Sequence, residues 1–284
     1  MASRDLHEEN RLAWNAATDA HNSHKADQAR FFREGGDTLF PEEVELLGDL
    51  AGVTLVHLQC NAGQDTLSLA RRGATVTGVD ISDTAIAFAR QLSADAGIPA
   101  TFVRADVYDW LAEAARGARQ FDAAFSSYGA LCWLSDIRAW ARGVAGILRP
   151  GGRLVVVEFH PFAMIFDEQW QHKYPYFGDG KPSTWDEGIG DYVAMAGTAL
   201  APSGYLEGVQ SFKNPHRSHE WQWGLGDLVT AVLDAGLALT ALKEYPYSNG
   251  AKQFEGMREL AGKRMVPPDG VPNLPLMYGL VARR

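Results

Sequence analysis

The chain has 284 residues, 46% hydrophobic and 21% charged, which suits an ordinary globular protein of one large domain or one domain with a sizeable insertion. It has no run of about 20 apolar residues, and the N-terminus MASRDLHEENRLAWNAATDAH is polar rather than signal-like, so a cytoplasmic protein that enters no membrane is expected. A formal net charge of −9 argues against a nucleic-acid footprint, and two cysteines are too few for a disulfide framework or a thiolate metal site.

In chain order, residues Glu8 to Ala20 are predicted helical, followed by a polar run with His21, Asn22, His24 and Lys25. A second helix is expected over Pro41 to Leu50, with Pro41 at a permitted first-turn position. Thr54 to Leu58 is a short apolar strand that enters the turn Gln59-Cys60-Asn61-Ala62-Gly63, then an amphipathic helix, then a strand over Thr75 to Asp80. A strand feeding a helix through a tight turn aims unpaired backbone N–H groups and a positive dipole end at any ligand there. Asp80, closing the next strand, is placed to accept hydrogen bonds from the two hydroxyls of a ribose. The single glycine of the turn does not make a dinucleotide fingerprint, but Asn61 tolerates the left-handed backbone that a sharp turn needs. Cys60 reads as a small packing residue.

Helix and strand signals go on alternating. Asp83 to Asp95 is helical and stops at Gly97-Ile98-Pro99; Thr101 to Arg104 and Ala123 to Ser127 are strands; Ser135 to Leu148 is a helix with Ile137, Trp140, Val144 and Leu148 inward; Arg153 to Phe159 is a strand. This alternation predicts a parallel sheet with helices on both faces and a ligand at the carboxyl ends of the strands. The pattern breaks after Phe159. Residues 161–218 carry aromatics, glycines and prolines but no long helical stripe, which predicts an irregular or antiparallel cap. Gly224 to Leu237 is again helical, and Ala238 to Tyr245 and Leu276 to Ala282 are strands.

The segment LVHLQCNAGQDTLSLARRGATVTGVDIS resembles the first two motifs of class I S-adenosylmethionine-dependent methyltransferases. Phe102-Val103-Arg104-Ala105-Asp106-Val107 is similar to the family's adenine-contacting motif, Phe121 to Ser127 to its fourth strand, and Leu148-Arg149-Pro150-Gly151-Gly152-Arg153-Leu154 to the turn into its fifth. The chain departs from the pattern at His57, where the family usually has an acidic residue, and at Gln59 and Asn61, where it usually has glycines. The resemblance implies an α/β, Rossmann-like methyltransferase fold: a mostly parallel seven-stranded sheet with a C-terminal antiparallel hairpin. It also implies a division into an N-terminal helical lid (1–50), a cofactor-binding core (51–160), a substrate cap (161–218) and the C-terminal part of the sheet (219–284). S-adenosyl-L-methionine is the implied cofactor, held by Gln59, Asn61, Gly63 and Thr66 around the first turn, Asp80 and Ile81 at the second strand, Ala105, Asp106 and Val107 at the third, and Ser127 after the fourth.

Methyl transfer from a sulfonium is an in-line displacement in which the protein aligns a nucleophile, excludes water and, where needed, removes a proton. It leaves no obligatory catalytic signature, so candidates come from position. His160 follows the fifth strand at the rim, and His219 lies in His219-Glu220-Trp221-Gln222-Trp223, where alternate residues of an extended segment share a face; these two are the candidate bases. His24, Tyr128, Trp133, Trp185, Tyr192 and Trp221 are the candidate acceptor walls, and His57 is assigned a structural hydrogen bond. No metal constellation is present. The expected reaction is methyl transfer to oxygen or nitrogen of a compact, natural-product-like small molecule, by a monomer or homodimer; a carboxylate acceptor would need no base. The alternatives are non-methyl chemistry with the same sulfonium, or a nucleotide-cofactor oxidoreductase or binding protein.

Overall fold

A computed structural model describes residues 3–284, so the first two residues of the expected lid lie outside the described residues. Three helices come first: α1 (Arg4–Ser23), α2 (Gln28–Arg33) and α3 (Pro41–Leu47). The alternating core follows as β1 (Thr54–Leu58), α4 (Gln64–Arg71), β2 (Thr75–Asp80), α5 (Asp83–Ala96), β3 (Thr101–Arg104), α6 (Val107–Arg116), β4 (Phe121–Ser127), α7 (Ile137–Ile147) and β5 (Leu148–Phe159). The cap contains β6 (Ser183–Trp185), α8 (Tyr192–Ala196) and β7 (Ser218–Glu220). The chain ends with α9 (Leu225–Asp234), β8 (Ala238–Tyr245), β9 (Ser248–Asn249), β10 (Arg258–Leu260), β11 (Arg264–Val266) and β12 (Met277–Arg283).

The main sheet has the order β3-β2-β1-β4-β5-β12-β8. All pairings through β5 are parallel, while β12 runs antiparallel to both β5 and β8. This is the expected seven-stranded sheet with its C-terminal hairpin. Local chemistry sets the helix starts: the side chains of Ser82, Asp106 and Asp136 each accept a hydrogen bond from a first-turn amide of α5, α6 and α7. Gly97, left-handed at φ 69°, ends α5. Alternate residues of the central strands enter two separate cores. Val56, Ala124, Leu154 and Val156 pack with Trp110, Trp140 and Val144 of α6 and α7, while Leu55, Phe125, Val155 and Met277 pack with Leu46 and Leu47 of α3.

Four features lay outside the sequence reading. α2 and α6 went unassigned, being short and lying inside segments read for other purposes. β4 and β5 start earlier, at Phe121 and Leu148, because Arg149 to Gly152 continue the strand. β6 pairs antiparallel with β7, Thr184 opposite His219, so the cap's hairpin reaches across the expected boundary at 218. Residues between β8 and β12 form a second, three-stranded sheet, β10-β11-β9, rather than a plain hairpin connection. Among the described residues no helix is long and apolar enough to cross a membrane.

Candidate active site

At the carboxyl ends of β1, β2 and β4, roofed by α1, α2 and the cap, lies a cavity of about 1050 Å³. That is at the upper end of the size of small-molecule sites and leaves room for two ligands side by side.

Its floor is the turn after β1. Gln59 (φ 55°), Asn61 (φ 49°) and Gly63 (φ 81°) all take left-handed backbone, so three sharp bends fit in five residues. The Asn61 amide donates to Asp80 Oδ2 at 2.8 Å, and the Ser82 amide donates to Oδ1 at 2.8 Å. Desolvation in the cavity wall nevertheless pushes the Asp80 carboxyl up to about 6. Gln59 donates through Nε2 to the Ala130 carbonyl, which leaves its Oε1 buried with no partner. Gly63 is required by packing rather than by a ligand: a Cβ there would stand 2.7 Å from Ala89 Cβ and 2.8 Å from the Phe102 ring. Thr66 is fully buried beneath the turn, its hydroxyl 2.9 Å from His57 Nδ1, and burial drives the His57 imidazole down to about 3. His57 therefore stays neutral and braces the strand, the structural role expected for it.

The segment after β4 is held by one carboxylate. Glu158 accepts from the backbone amides of Gly129, Ala130 (2.8 Å) and Leu131 (3.2 Å), which fixes Ser127, Tyr128 and Trp133 in the cavity wall. Tyr128, at φ 36°, turns its hydroxyl to accept from Asn249 Nδ2 at 2.9 Å. Ile81, Ala105, Asp106 and Val107 line the neighbouring wall. Asp106 is already engaged: Oδ1 accepts from the Tyr108 amide, and Oδ2 takes a 2.6 Å bond from His7 Nδ1, whose Nε2 lies 2.9 Å from Ser135 Oγ. The N-terminal helix is thus pinned directly onto the third-strand motif.

The cap contributes Trp185, Tyr192, Glu220 and Trp221. Tyr192 stacks against His21 with ring centroids 4.1 Å apart, and its hydroxyl lies against the Asn61 side chain. This places Tyr192, expected in the acceptor wall, beside the β1 turn. His21 donates from Nε2 to the Gly190 carbonyl at 2.9 Å; its Nδ1 has no partner, and burial lowers the ring to about 4.

Three expected site histidines stand outside the cavity. His160 points toward β8, with Nε2 2.9 Å from Glu244 Oε1 and Nδ1 accepting from the Phe162 amide at 3.1 Å. His219 faces α1, with Nε2 2.9 Å from Glu9 and Nδ1 3.0 Å from Thr184 Oγ1. Because residues alternate along β7, it is the adjacent Glu220 that faces inward. His24 is stacked flat on Tyr205 and pairs with Asp191 at 2.8 Å, so it anchors the cap. With both ring nitrogens occupied and no access to the cavity, neither His160 nor His219 is placed to act as a base on a bound acceptor.

Residues 56–152 match the family described as "Methyltransferase domain". Over that third of its length the chain is similar to a methyltransferase domain. A ubiquinone biosynthesis O-methyltransferase of Methylobacterium sp. (strain 4-46) is 32% identical over 118 residues, which are 42% of this chain and 43% of the relative. An S-adenosyl-L-methionine-dependent Diels-Alderase of Talaromyces variabilis is 33% identical over 119 residues, 41% of this chain and 40% of the relative. The chain therefore spans less than half the length of the curated relatives it matches. A solved structure described as a putative S-adenosylmethionine-dependent methyltransferase from Listeria monocytogenes superposes with a TM-score of 0.55 at 15% identity, over 86% of this chain and 96% of that one. The fold is that of the S-adenosylmethionine-dependent methyltransferases.

The matched segment, residues 56–152, accounts for the floor of the cavity but not for its roof. His7, Asn10, Trp14, His21, Lys25 and Gln28 line the cavity from the N-terminal helices and were not singled out as site residues. For His21 and Lys25 the signal was the polar run after Ala20; Asn10 and Trp14 lie inside the predicted first helix and His7 just before it, where nothing marked them. Lys25 is notable among them: desolvation lowers its ammonium to about 8, against the opposing pull of Asp65.

Proposed function

We propose that the protein binds S-adenosyl-L-methionine at the β1 turn and transfers its methyl group to a small-molecule acceptor held under the cap. The observation that carries this reading is the pair of hydrogen bonds by which Asp80 ties the β1 turn to the end of β2, inside a cavity with room for a second ligand. The donor set suits the cofactor. Asp80 offers a carboxylate to the ribose hydroxyls, Lys25 a cation to the carboxylate, the orphaned Gln59 Oε1 an acceptor to the ammonium, and Ile81, Ala105 and Val107 an apolar slot to the adenine. When bound, the cofactor supplies an electrophilic methyl carbon on a sulfonium. The chain's own work is alignment and exclusion of water, for which the roof of α1 and the cap provides cover. Oxygen and nitrogen are the favoured nucleophiles, in a compact acceptor that fits between indole walls, with no nucleic acid or membrane involved and the protein acting as a monomer or homodimer in the cytoplasm.

The test is calorimetry with S-adenosylmethionine, followed by incubation with methyl-deuterated cofactor and an acceptor library. Binding together with a deuterated-methyl product and S-adenosylhomocysteine is expected. The similarity to a Diels-Alderase supports a second reading, in which the sulfonium orients a rearrangement and stays intact. A changed acceptor with no S-adenosylhomocysteine released would establish that reading instead.

A further inference from the structure

Glu220 is a carboxylate in an unusual setting. It ends β7, lines the cavity, and forms no salt bridge with any described residue. One oxygen, Oε2, accepts from the Trp185 indole N–H at 3.2 Å; this is its one side-chain hydrogen bond. Its neighbour Trp221 donates its amide to the Cys132 carbonyl at 2.7 Å, which seats the end of β7 on the Leu131–Trp133 turn that follows β4. Trp133, Trp185 and Trp221 all line the same cavity, and Tyr174 meets Trp185 edge-on at 5.9 Å. Glu220 is half-buried, and a carboxylate drawn partly out of water with no counter-charge beside it gains from a cationic ligand that supplies one. A negative group in a cavity lined by several indoles is a combination that recognises an ammonium, by ion pairing and by cation–π attraction together.

We propose that Glu220, with the indoles of Trp133, Trp185 and Trp221, is the recognition site for a basic amine nitrogen of the methyl acceptor. The inference rests on the methyltransferase reading above and narrows its acceptor to an amine. Glu220 is a positioning residue that also has the capacity to take the proton an ammonium must lose before its nitrogen lone pair is free: the N–H bond breaks, the proton passes to the free carboxylate oxygen, and the electron pair stays on nitrogen. Burial holds the Glu220 carboxyl above its usual range, against the hydrogen bond from Trp185, which favours that acceptance.

The test uses three probes of like shape, 2-phenylethylamine, 2-phenylethanol and 3-phenylpropanoate, titrated by tryptophan fluorescence into the full chain saturated with S-adenosylhomocysteine. The amine is expected to bind at least about tenfold more tightly than the alcohol or the acid, a preference worth about 1.4 kcal/mol. Glu220→Gln keeps the acceptor for the Trp185 indole and removes the charge, so it should abolish the preference while leaving S-adenosylhomocysteine affinity unchanged. If the alcohol or the acid matches the amine in the unaltered protein, or no amine binds, the proposal is overturned without any variant being needed. An intact preference in Glu220→Gln overturns it as well. Failure of S-adenosylhomocysteine to bind the unaltered protein would instead bring down the cofactor reading, and this proposal with it.

Discussion

The carboxylate of Asp80 receives the backbone N–H of Asn61 at 2.8 Å, across nineteen positions of sequence, and so couples the end of β2 to the turn that follows β1. The same side chain that would face a ribose is therefore also the strut that shapes the turn beneath it.

This dual role makes alanine a blunt replacement at position 80. Asp80→Asn keeps an acceptor for one of the two amides and loses the charge. Cofactor affinity should fall by about 1.5–3 kcal/mol, roughly tenfold or more, as for hydrogen bonds to a charged group. Calorimetry on a variant whose circular dichroism is unchanged would measure it, and unaltered affinity would remove Asp80 from the site.

Cofactor affinity should have two pH flanks. Ribose hydroxyls favour ionised Asp80, which titrates near about 6 in the free protein, so affinity is complete above that pH and falls as pH drops through it. A ligand carboxylate favours the charged Lys25, which titrates near about 8, so affinity is complete below that pH and falls as pH rises through it. Isothermal titrations between pH 5 and pH 9 should trace a bell (a range of about two pH units on either side of neutral). Asp80→Asn should erase the acid limb and Lys25→Met the alkaline one.

Gly63→Ala is expected to destabilise the fold more than a typical surface change. The added Cβ meets Ala89 and Phe102 well inside van der Waals contact, and φ 81° disfavours any side chain. A loss of about 1–3 kcal/mol, the usual cost of overpacking, should appear as a lowered urea midpoint at constant slope. A variant as stable as the parent would show that α4 and α5 can separate freely.

His160→Gln should leave turnover within about tenfold of the parent, well short of the 10²–10⁴ that a general base supplies. The variant keeps a hydrogen-bonding amide near Glu244 and the Phe162 amide, so the expected change is in thermal stability. A drop of a hundredfold or more in kcat, with cofactor still bound, would restore the base role that the position after β5 suggested.

The alternating strands were legible because each buries a short apolar run between turns: the bounds of β1, β2, β3 and β8 agree with the reading of the sequence alone, and the antiparallel order at the C-terminal edge followed from the family resemblance. The turn residues were legible for the same local reason, since Asn61 and Asp80 announce their backbone and hydrogen-bonding tasks. Histidine orientation was not. His160 follows β5 and His219 lies in an extended segment, as expected, yet Glu244, Glu9 and Thr184 turn them outward, and those partners come from elements distant in sequence. The inward turn of Glu220 depends on the register of a three-residue hairpin, which periodicity over so short a stretch cannot set. The roof residues His7, Asn10 and Lys25 reach the cavity only because α1 folds back across the sheet, where Asn10 exchanges hydrogen bonds with the backbone of His219 at 2.7 and 2.9 Å.

The stretch that matches the family model forms the lower half of the cavity, while α1, the cap and the β9–β11 sheet supply the upper half. Family likeness in this chain is consequently divided by height. Residues 56–152 form the floor, and the roof comes from three segments that are far apart in sequence. The roof can then be remodelled, and the shape of the cavity changed, without a single substitution in the part of the chain that matches the family model.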